Sequence, residues 1–281
     1  MESRNFLPPN ESRIIICGTA RNVEKHVKKY FEILDSSFSS FKEVVFLVCE
    51  SFSTDKTLLA LESVKGAQIN LDYFSDNRVS LEESLRTVRI ASARNSLQDR
   101  VKEKYSTFDY VVMADMDGVN RDLTQESVDS CWDYPVWDVV FANQPFRYYD
   151  IWALRANGWS ENDCWQEYRE LLQSMSPKRA RKIAVTNKMK SISPNMPLIP
   201  VESAFGGLAI YTIDAFLLGK YIGLSSKGHE ICEHVPFHQD LRKRGLHLFI
   251  APNLVNLLPK TQRLEFLLNR HYIGLLKRVK V

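Results

Sequence analysis

Two aspartates separated by one residue, Asp115 and Asp117, are the strongest chemical signal in the sequence, because they directly follow an apolar run. Carboxylates at this spacing can hold one divalent cation, and Mg²⁺ or Mn²⁺ completes such a shell with water and substrate phosphates. A cation held this way neutralises charge on a departing diphosphate. The alternative is a simple turn, since Asp and Gly often follow strands and Gly118 comes next.

Three further groups of residues have the chemistry of a nucleotide site. Arg94 carries a planar guanidinium that suits phosphate, although a surface arginine is the alternative. Residues 18–21 (Gly-Thr-Ala-Arg) precede a helical pattern and suit a base or phosphate, but they match neither the dinucleotide nor the Walker fingerprint. Glu50, at a strand end, can accept hydrogen bonds from a base or ribose, whereas the nearby Ser53 and Asp55 can simply cap the next helix.

A tract rich in histidine and acid spans residues 229–238. It lacks the helical His-Glu-x-x-His pattern of zinc proteases, so a zinc site of its own is not favoured. A better role is a third ligand for the metal at Asp115, and we assign that ligand to His238. The candidates for a general base that deprotonates an acceptor hydroxyl are Glu233, His234 and Asp240.

The elements that must position these residues alternate along the first half of the chain. Apolar runs predict strands at residues 13–17, 44–48, 69–74, 108–113 and 139–141. Helices are predicted between them, with Asn22 as the cap of the first and Ser53 or Thr54 at the start of the second. This order predicts right-handed crossovers and a mostly parallel sheet, whose carboxyl ends carry the ligand site.

Composition excludes several classes of protein. The 281 residues include 37 basic and 34 acidic side chains, and a net charge of +3 gives no signal for nucleic acid. No apolar run approaches the roughly 18–20 residues that cross a membrane. Five cysteines, an odd number, favour a reducing cytosol. We therefore expect a cytoplasmic protein with one domain.

Two basic segments stand apart from this pattern. Residues 177–190 carry six cations and no acid, which predicts a mobile loop or a solvated helix. Residues 256–281 form a basic tail with interleaved apolar side chains. The tail is either an ordinary packed helix, the favoured interpretation, or a peripheral contact with an anionic membrane near a lipid-linked acceptor.

These pieces, in this order, resemble glycosyltransferases of the GT-A type, which carry an Asp-x-Asp motif at a strand end. Arg94-Asn95 followed by residues 108–117 resembles the Arg-Asn…Asp-x-Asp core of the fungal mannan polymerase family. Residues 201–211 are similar to the Gly-rich segment of that family and of the capsule-associated, CAP59-like mannosyltransferases. Residues 149–155 resemble an Asp-x-Trp-x-x-Arg stretch of the CAP59-like group, and residues 232–253 resemble its acidic motif and Pro-Asn.

The resemblance, which spans residues 13–255, implies an α/β fold of the GT-A (Rossmann-like) type: a mostly parallel central sheet flanked by helices. It implies a nucleotide-sugar half at 13–145 and an elaborated acceptor and catalytic half at 146–255. The metal, Mn²⁺ or Mg²⁺, is implied at Asp115 and Asp117. The implied donor-binding residues are Thr19, Ala20, Arg21, Glu50, Arg94, Asp115, Gly206 and Gly207. The implied acceptor-binding residues are Asp150, Trp152 and Arg155.

The implied activity is transfer of a hexose, with mannose favoured, from a UDP- or GDP-sugar to a glycan or lipid-linked acceptor. The mannosyltransferase resemblance leans towards retention of configuration. Glu233 is implied near the reacting carbon. The fungal enzymes have an N-terminal membrane anchor that this sequence lacks, and His234 stands where related motifs often have a carboxylate. The alternatives are a sugar-phosphate nucleotidyltransferase and a non-catalytic module that binds a sugar nucleotide.

Overall fold

A computed structural model describes residues 6–65, 69–79 and 85–258 of the chain. Within these ranges eight strands form one sheet, in the order β3-β2-β1-β4-β7-β5-β8-β6. The strands are β1 (Arg13–Ala20), β2 (Glu43–Glu50), β3 (Leu71–Ser75), β4 (Tyr110–Ala114), β5 (Val139–Asn143), β6 (Ile199–Pro200), β7 (Leu208–Thr212) and β8 (Leu248–Val255). The predicted strands are thus all present, with ends that differ by a few residues.

Helices flank the sheet. They are α1 (Val27–Ser37), α2 (Thr57–Lys65), α3 (Arg86–Lys104), α4 (Gln125–Asp129), α5 (Cys164–Leu171), α6 (Pro177–Ala184), α7 (Ile213–Leu218) and α8 (His234–Lys243). Strand residues alternate between two apolar clusters: Ile14 and Ile16 belong to one, and Ile15 and Cys17 to the other. Side chains along a strand point to opposite faces, so both faces of the sheet are covered.

The sheet is mostly parallel, as the alternating pattern predicts. β1 pairs in parallel with both β2 and β4, β2 with β3, and β5 with β8. β7 runs antiparallel between β4 and β5, and β6 pairs antiparallel with β8. This α/β architecture confirms the predicted fold class, and it joins strands of both halves of the chain in one sheet.

Two helix starts differ from the prediction. Asn22 does not cap α1, which begins only at Val27; Asn22 instead has a φ of 53° and its Oδ1 accepts a hydrogen bond from the Thr54 backbone N–H at 2.8 Å. α2 begins at Thr57, where Asp55 Oδ1 accepts from the Thr57 N–H at 3.0 Å. The side chains expected to start helices are used to link the loops that follow β1 and β2.

The structure describes one of the two basic segments singled out from the sequence and almost none of the other. Residues 177–184 form the helix α6, which agrees with one of the two predicted alternatives. Residues 259–281, almost the whole predicted tail, lie outside the described residues. In the ranges that the structure describes, no helix is long and apolar enough to cross a membrane.

Candidate active site

A cavity of about 510 Å³ opens at the carboxyl ends of β1, β2 and β4. This is the sheet edge where parallel topology predicts a ligand site. The cavity is lined by Thr19, Ala20, Arg21, Val23, Ser51, Phe52, Arg86, Arg89, Ile90, Ala93, Arg94, Asp115, Met116, Asp117, Tyr149, Asp150, Trp152, Phe205, Cys232, Glu233 and His234. Most of the charged residues singled out from the sequence therefore meet here, together with several that were not.

The two aspartates sit on the turn that leaves β4. The Asp115 N–H donates to the Gly207 carbonyl oxygen at 2.9 Å, so the turn is held against the segment before β7. Asp117 Oδ1 accepts from the Val119 N–H at 3.2 Å, and its side chain is exposed. Asp115 keeps about a third of its side chain accessible. Both carboxylates can therefore reach a ligand in the cavity.

Arg94 lies at the centre of a buried charge cluster. It is only 4% exposed, on the face of α3 that packs against the sheet. Its Nη1 forms an ion pair with Glu233 and donates to His234 Nε2 at 2.6 Å, and its Nη2 donates to Asp115 Oδ1 at 3.2 Å. Its guanidinium also stands 5.0 Å from the centre of the Phe205 ring, a cation–π distance. One arginine thus joins the turn after β4 to the acidic residue before α8.

His234 serves this arginine as a hydrogen-bond acceptor. A guanidinium can only donate, so His234 Nε2 accepts and the ring proton of the neutral imidazole is on Nδ1. Burial and the Arg94 charge hold the pKa of His234 well below its usual value. The ring is stacked on Phe205 at 3.8 Å. His234 therefore does not fit the predicted role of general base, because its basic nitrogen is occupied by Arg94.

The cavity carboxyls have raised pKa values. Burial raises the pKa of Asp115 to about 7; Arg94 opposes this shift, and the charges of Asp117, Asp150 and Glu233 add to it. Burial also raises the pKa of Asp150. Asp150 accepts hydrogen bonds from the Gly206 N–H at 3.0 Å and the Ala153 N–H at 3.4 Å. Burial is thus the main cause of both shifts, and neighbouring negative charges add to it.

Gly206 and Gly207 do not line the cavity, but their backbone groups bond to two residues that do, Asp150 and Asp115. Both have positive φ, 66° and 85°. A Cβ on Gly206 would lie 2.8 Å from the Ala142 carbonyl oxygen, and one on Gly207 would lie 2.4 Å from a Val119 methyl carbon. Neither glycine lines the cavity as the donor-binding prediction requires, and their close backbone packing instead places Asp115 and Asp150.

The acceptor-side residues divide into two groups. Asp150 and Trp152 line the cavity. Arg155 does not: its guanidinium donates to the carbonyls of Trp152 and Leu154 at 2.9 and 2.8 Å and to Asp163 at 3.2 Å. It fixes the loop that carries Trp152 and, contrary to the prediction, has no access to an acceptor in this cavity.

Three more predicted site residues lie outside the cavity: Glu50, Asp240 and His238. Glu50 is 3% exposed, and its two oxygens accept from the Ser53 N–H and the Ser75 hydroxyl at 2.6 and 2.7 Å. Asp240 lies on α8 beside Lys243, at 3.6 Å. Neither lines the cavity, so the nucleoside-binding role of Glu50 and the base role of Asp240 are not supported.

His238 also lies outside the lining of the cavity that Asp115 and Asp117 share. It is fully buried, and its ring nitrogens bond to the Ser203 and Tyr211 hydroxyls, each at 2.9 Å. With both nitrogens occupied, His238 does not fit the predicted role of metal ligand, and its role is to bind α8 to the sheet. It was singled out because its sequence neighbourhood is rich in ligand-type residues, but it lies one helical turn from His234 and faces the core.

The ends of β1 and β2 and the loops that follow them form one part of the cavity, which holds residues that the sequence analysis missed. Thr19, Ala20 and Arg21 line it, and the loop after β2 contributes Ser51 and Phe52 in place of Glu50. Phe52 has a φ of 53° and its N–H donates to Asn77 Oδ1 at 3.2 Å. Its signal was an aromatic residue two positions after the end of a strand. Such a residue is as common in cores as in sites, so sequence alone could not assign it.

The donor set suits a cation that is shared with a ligand. Among the residues that the structure describes, no group of three or more His, Cys, Asp or Glu side chains could hold a metal. Asp115 and Asp117 supply oxygen ligands only. Mg²⁺ and Mn²⁺ accept such a partial shell because water and substrate phosphates supply the rest. The two carboxylates therefore fit a divalent ion bound together with a diphosphate.

Solved structures share this fold. The chain superimposes with a TM-score of 0.51 on the mannosyltransferase PcManGT from Pyrobaculum calidifontis, a complex with GDP-Man and Mn²⁺, at 14% identity over 92% of this chain. It superimposes with a TM-score of 0.50 on residues 1–349 of S. aureus TarS, at 12% identity over 89% of this chain. The chain spans about three fifths (61%) of the length of each. No protein-family model and no curated protein sequence matches it.

At these identities the similarity defines the fold alone. The chain has the mixed α/β fold of GT-A glycosyltransferases, with a mostly parallel sheet of eight strands among the described residues. The cavity, with its paired aspartates and buried arginine, lies at the sheet edge that the first-half strands define.

Proposed function

We propose that this protein is a metal-dependent glycosyltransferase that moves a hexose from a nucleoside-diphosphate sugar to a glycan or lipid-linked acceptor. The observation that carries the proposal is the joining of Asp115, Asp117 and Arg94 in one cavity at the carboxyl edge of the sheet. Breaking an anomeric C–O bond places negative charge on the departing diphosphate. A site with two metal-binding carboxylates and a cation beside them suits that change of charge.

In this proposal the roles follow from position. Asp115 and Asp117 hold Mn²⁺ or Mg²⁺, which supplies Lewis-acid neutralisation of the diphosphate when bound. Arg94 balances the charge of Asp115 and Glu233 and adds positive potential in a water-poor site, where electrostatic stabilisation is strongest. Thr19, Ala20, Arg21, Ser51 and Phe52 surround the nucleoside. The sugar faces the wall of Asp150, Trp152 and Glu233.

Asp150 is the best-placed base for an acceptor hydroxyl in an inverting reaction. It lines the cavity, burial raises its pKa, and two backbone N–H groups fix its orientation. Glu233 is the second candidate, but its Oε1 is paired with Arg94. In a retaining reaction, which the resemblance to mannosyltransferases favours, the departing phosphate takes the proton and Asp150 orients the acceptor. The anomeric configuration of the product decides between the two.

GDP-mannose is the first donor to test. The support for it is the mannosyltransferase resemblance at residues 94–117 and 201–211, together with the GDP-Man complex of the structurally similar PcManGT. UDP-sugars form the comparison set. The expected result is slow Mn²⁺-dependent hydrolysis of one donor, at least tenfold faster than without metal. Asp115→Asn and Asp117→Asn abolish it, while Asp35→Asn on the exposed face of α1 does not.

Two other functions predict different assay results. A nucleotidyltransferase releases pyrophosphate from a nucleoside triphosphate and a sugar phosphate, whereas the proposed enzyme releases none. A non-catalytic module binds a sugar nucleotide without metal-dependent turnover. If no donor in the panel is hydrolysed or transferred with Mn²⁺ or Mg²⁺ present, the glycosyltransferase proposal is wrong.

A further inference from the structure

The outward face of the helix α6 (Pro177–Ala184) carries four cationic side chains. Lys178, Arg179, Arg181 and Lys182 are all exposed, and no carboxylate that the structure describes forms an ion pair with any of them. No acidic residue occurs between positions 177 and 190. A solvated helix commonly mixes charges of both signs along its surface. Here the positive charge is concentrated and has no partner among the described side chains.

The positions of these residues around the helix are specific. Ala180 and Ala184 are fully buried and pack α6 onto the protein. At 100° per residue, Lys182 lies opposite them, and the four cations span an outward arc of about 160°. Ile183 borders this arc and is 36% exposed. The four cations and Ile183 thus form one outward surface of the helix, here called the α6 surface.

The α6 surface is fixed to the wall of the cavity. The segment after α6 is bonded to the loop that carries Tyr149 and Trp152: the Tyr148 N–H donates to the Lys190 carbonyl at 2.9 Å, and the Ile192 N–H donates to the Pro145 carbonyl at 2.9 Å. Trp159 Nε1 donates to the Lys188 carbonyl at 2.6 Å. Whatever binds the α6 surface is therefore held at a fixed place relative to the cavity.

We propose that the α6 surface docks on an anionic lipid bilayer. Each Lys or Arg near an anionic leaflet strengthens binding about fivefold, and apolar side chains beside the cations enter the boundary between headgroups and acyl chains. A soluble polyanion would satisfy the four cations but would offer no apolar contact to Ile183. The mixed surface therefore favours the bilayer. The inference does not depend on glycosyl transfer, so either can fail without the other.

The test is co-sedimentation of the full chain with vesicles of phosphatidylcholine alone or mixed with phosphatidylglycerol. In one variant Lys178, Arg179, Arg181 and Lys182 are all changed to Gln. The matched control changes Lys25, Lys28, Lys29 and Lys42, exposed on and beside α1, to Gln and removes the same charge. The α6 variant is expected to lose at least about tenfold in partition onto anionic vesicles, and the control less than threefold.

A second pair of measurements identifies the partner as lipid. Ile183→Ser is expected to weaken vesicle binding severalfold while leaving retention on immobilised polyphosphate unchanged. Circular dichroism of every variant in solution confirms that the fold is intact. Equal losses in the α6 and control variants, no binding to anionic vesicles by the wild type, or an α6 loss seen only with polyphosphate would each overturn the proposal.

Discussion

At the scale of single residues, the site depends on one buried arginine. Arg94 is surrounded by Glu233, Asp115 and His234, and of its two carboxylate partners Glu233 is the more deeply buried. Removing one member of a buried pair leaves the other charge unpaired, and this costs more than the pair itself contributes. The sequence could show an arginine on a helix, but not that three partners separated from it by up to 140 positions converge on it.

Arg94→Met is therefore expected to destabilise the protein by about 3–5 kcal/mol, because Glu233 and Asp115 lose their counter-charge. Urea unfolding followed by circular dichroism measures the loss. In the double variant Arg94→Met with Glu233→Gln, the expected loss is smaller than in Arg94→Met alone, since one uncompensated carboxylate is gone. A loss under about 1 kcal/mol in the single variant would show that the cluster is not the buried ion network described here.

A second residue-scale prediction concerns the buried His238. Burial lowers the pKa of His238 to about 3, against about 6.5 in the unfolded chain. The unfolded state therefore binds more protons between these values, and the free energy of unfolding falls as pH drops from 6.5 towards 3. The slope that one such group contributes is about 1.4 kcal/mol per pH unit. The contribution is fully present above pH 6.5.

His238→Gln retains a side chain that can bond to Ser203 and Tyr211 but cannot titrate. Its unfolding free energy is expected to vary less with pH between 4 and 6 than that of the wild type, by about 1 kcal/mol per unit. Exposed His26→Gln is the control and is expected to leave the slope unchanged. Parallel curves for wild type and His238→Gln would mean that His238 is not buried in its neutral form.

At the scale of elements, the first half of the chain could be predicted well and the second half only in part. Short apolar runs such as Val44–Val48 carry strong β propensity and lie between clear helical patterns, so local sequence sufficed. The insertion of β7 antiparallel between β4 and β5 could not be predicted, because strand order depends on pairing between residues roughly 70 to 100 positions apart in the chain. The cap at Asn22 failed because tertiary hydrogen bonds to the β2 loop compete with local capping.

Gly207 shows how a strand start supports the site. A Cβ there would lie 2.4 Å from Val119, and the Gly207 carbonyl accepts the Asp115 N–H. Gly207→Ala is expected to destabilise the fold by at least about 2 kcal/mol and to weaken metal binding. Gly228→Ala is the matched control, with a φ of 74° but open space around its Cβ, and is expected to cost only about 1 kcal/mol. Equal costs by urea unfolding would contradict the proposed close packing.

At the scale of the whole molecule, the two halves of the chain meet at the cavity. A ligand that contacts both halves is expected to stabilise the fold. Asp115 belongs to the first half and Asp150 and Glu233 to the second, and all three line the cavity. Burial is the main cause of the raised pKa of Asp115, about 7, and repulsion by the negative charges of Asp117, Asp150 and Glu233 adds to it. A divalent cation relieves this repulsion, so metal and donor are expected to stabilise the fold more together than separately.

Thermal unfolding tests this coupling. With Mn²⁺ and GDP-mannose both present at about 100 times their dissociation constants, stabilisation of about 3 kcal/mol and a rise in Tm of several degrees are expected. Donor alone in the presence of EDTA should give much less, because its diphosphate then meets the uncompensated carboxylates. Asp117→Asn should remove the Mn²⁺-dependent part, whereas Asp35→Asn should leave it unchanged. If GDP-mannose raises the Tm as much in EDTA as with Mn²⁺, the aspartates do not bind the donor through a metal. The two carboxylates would then have no measurable effect on the diphosphate beside them.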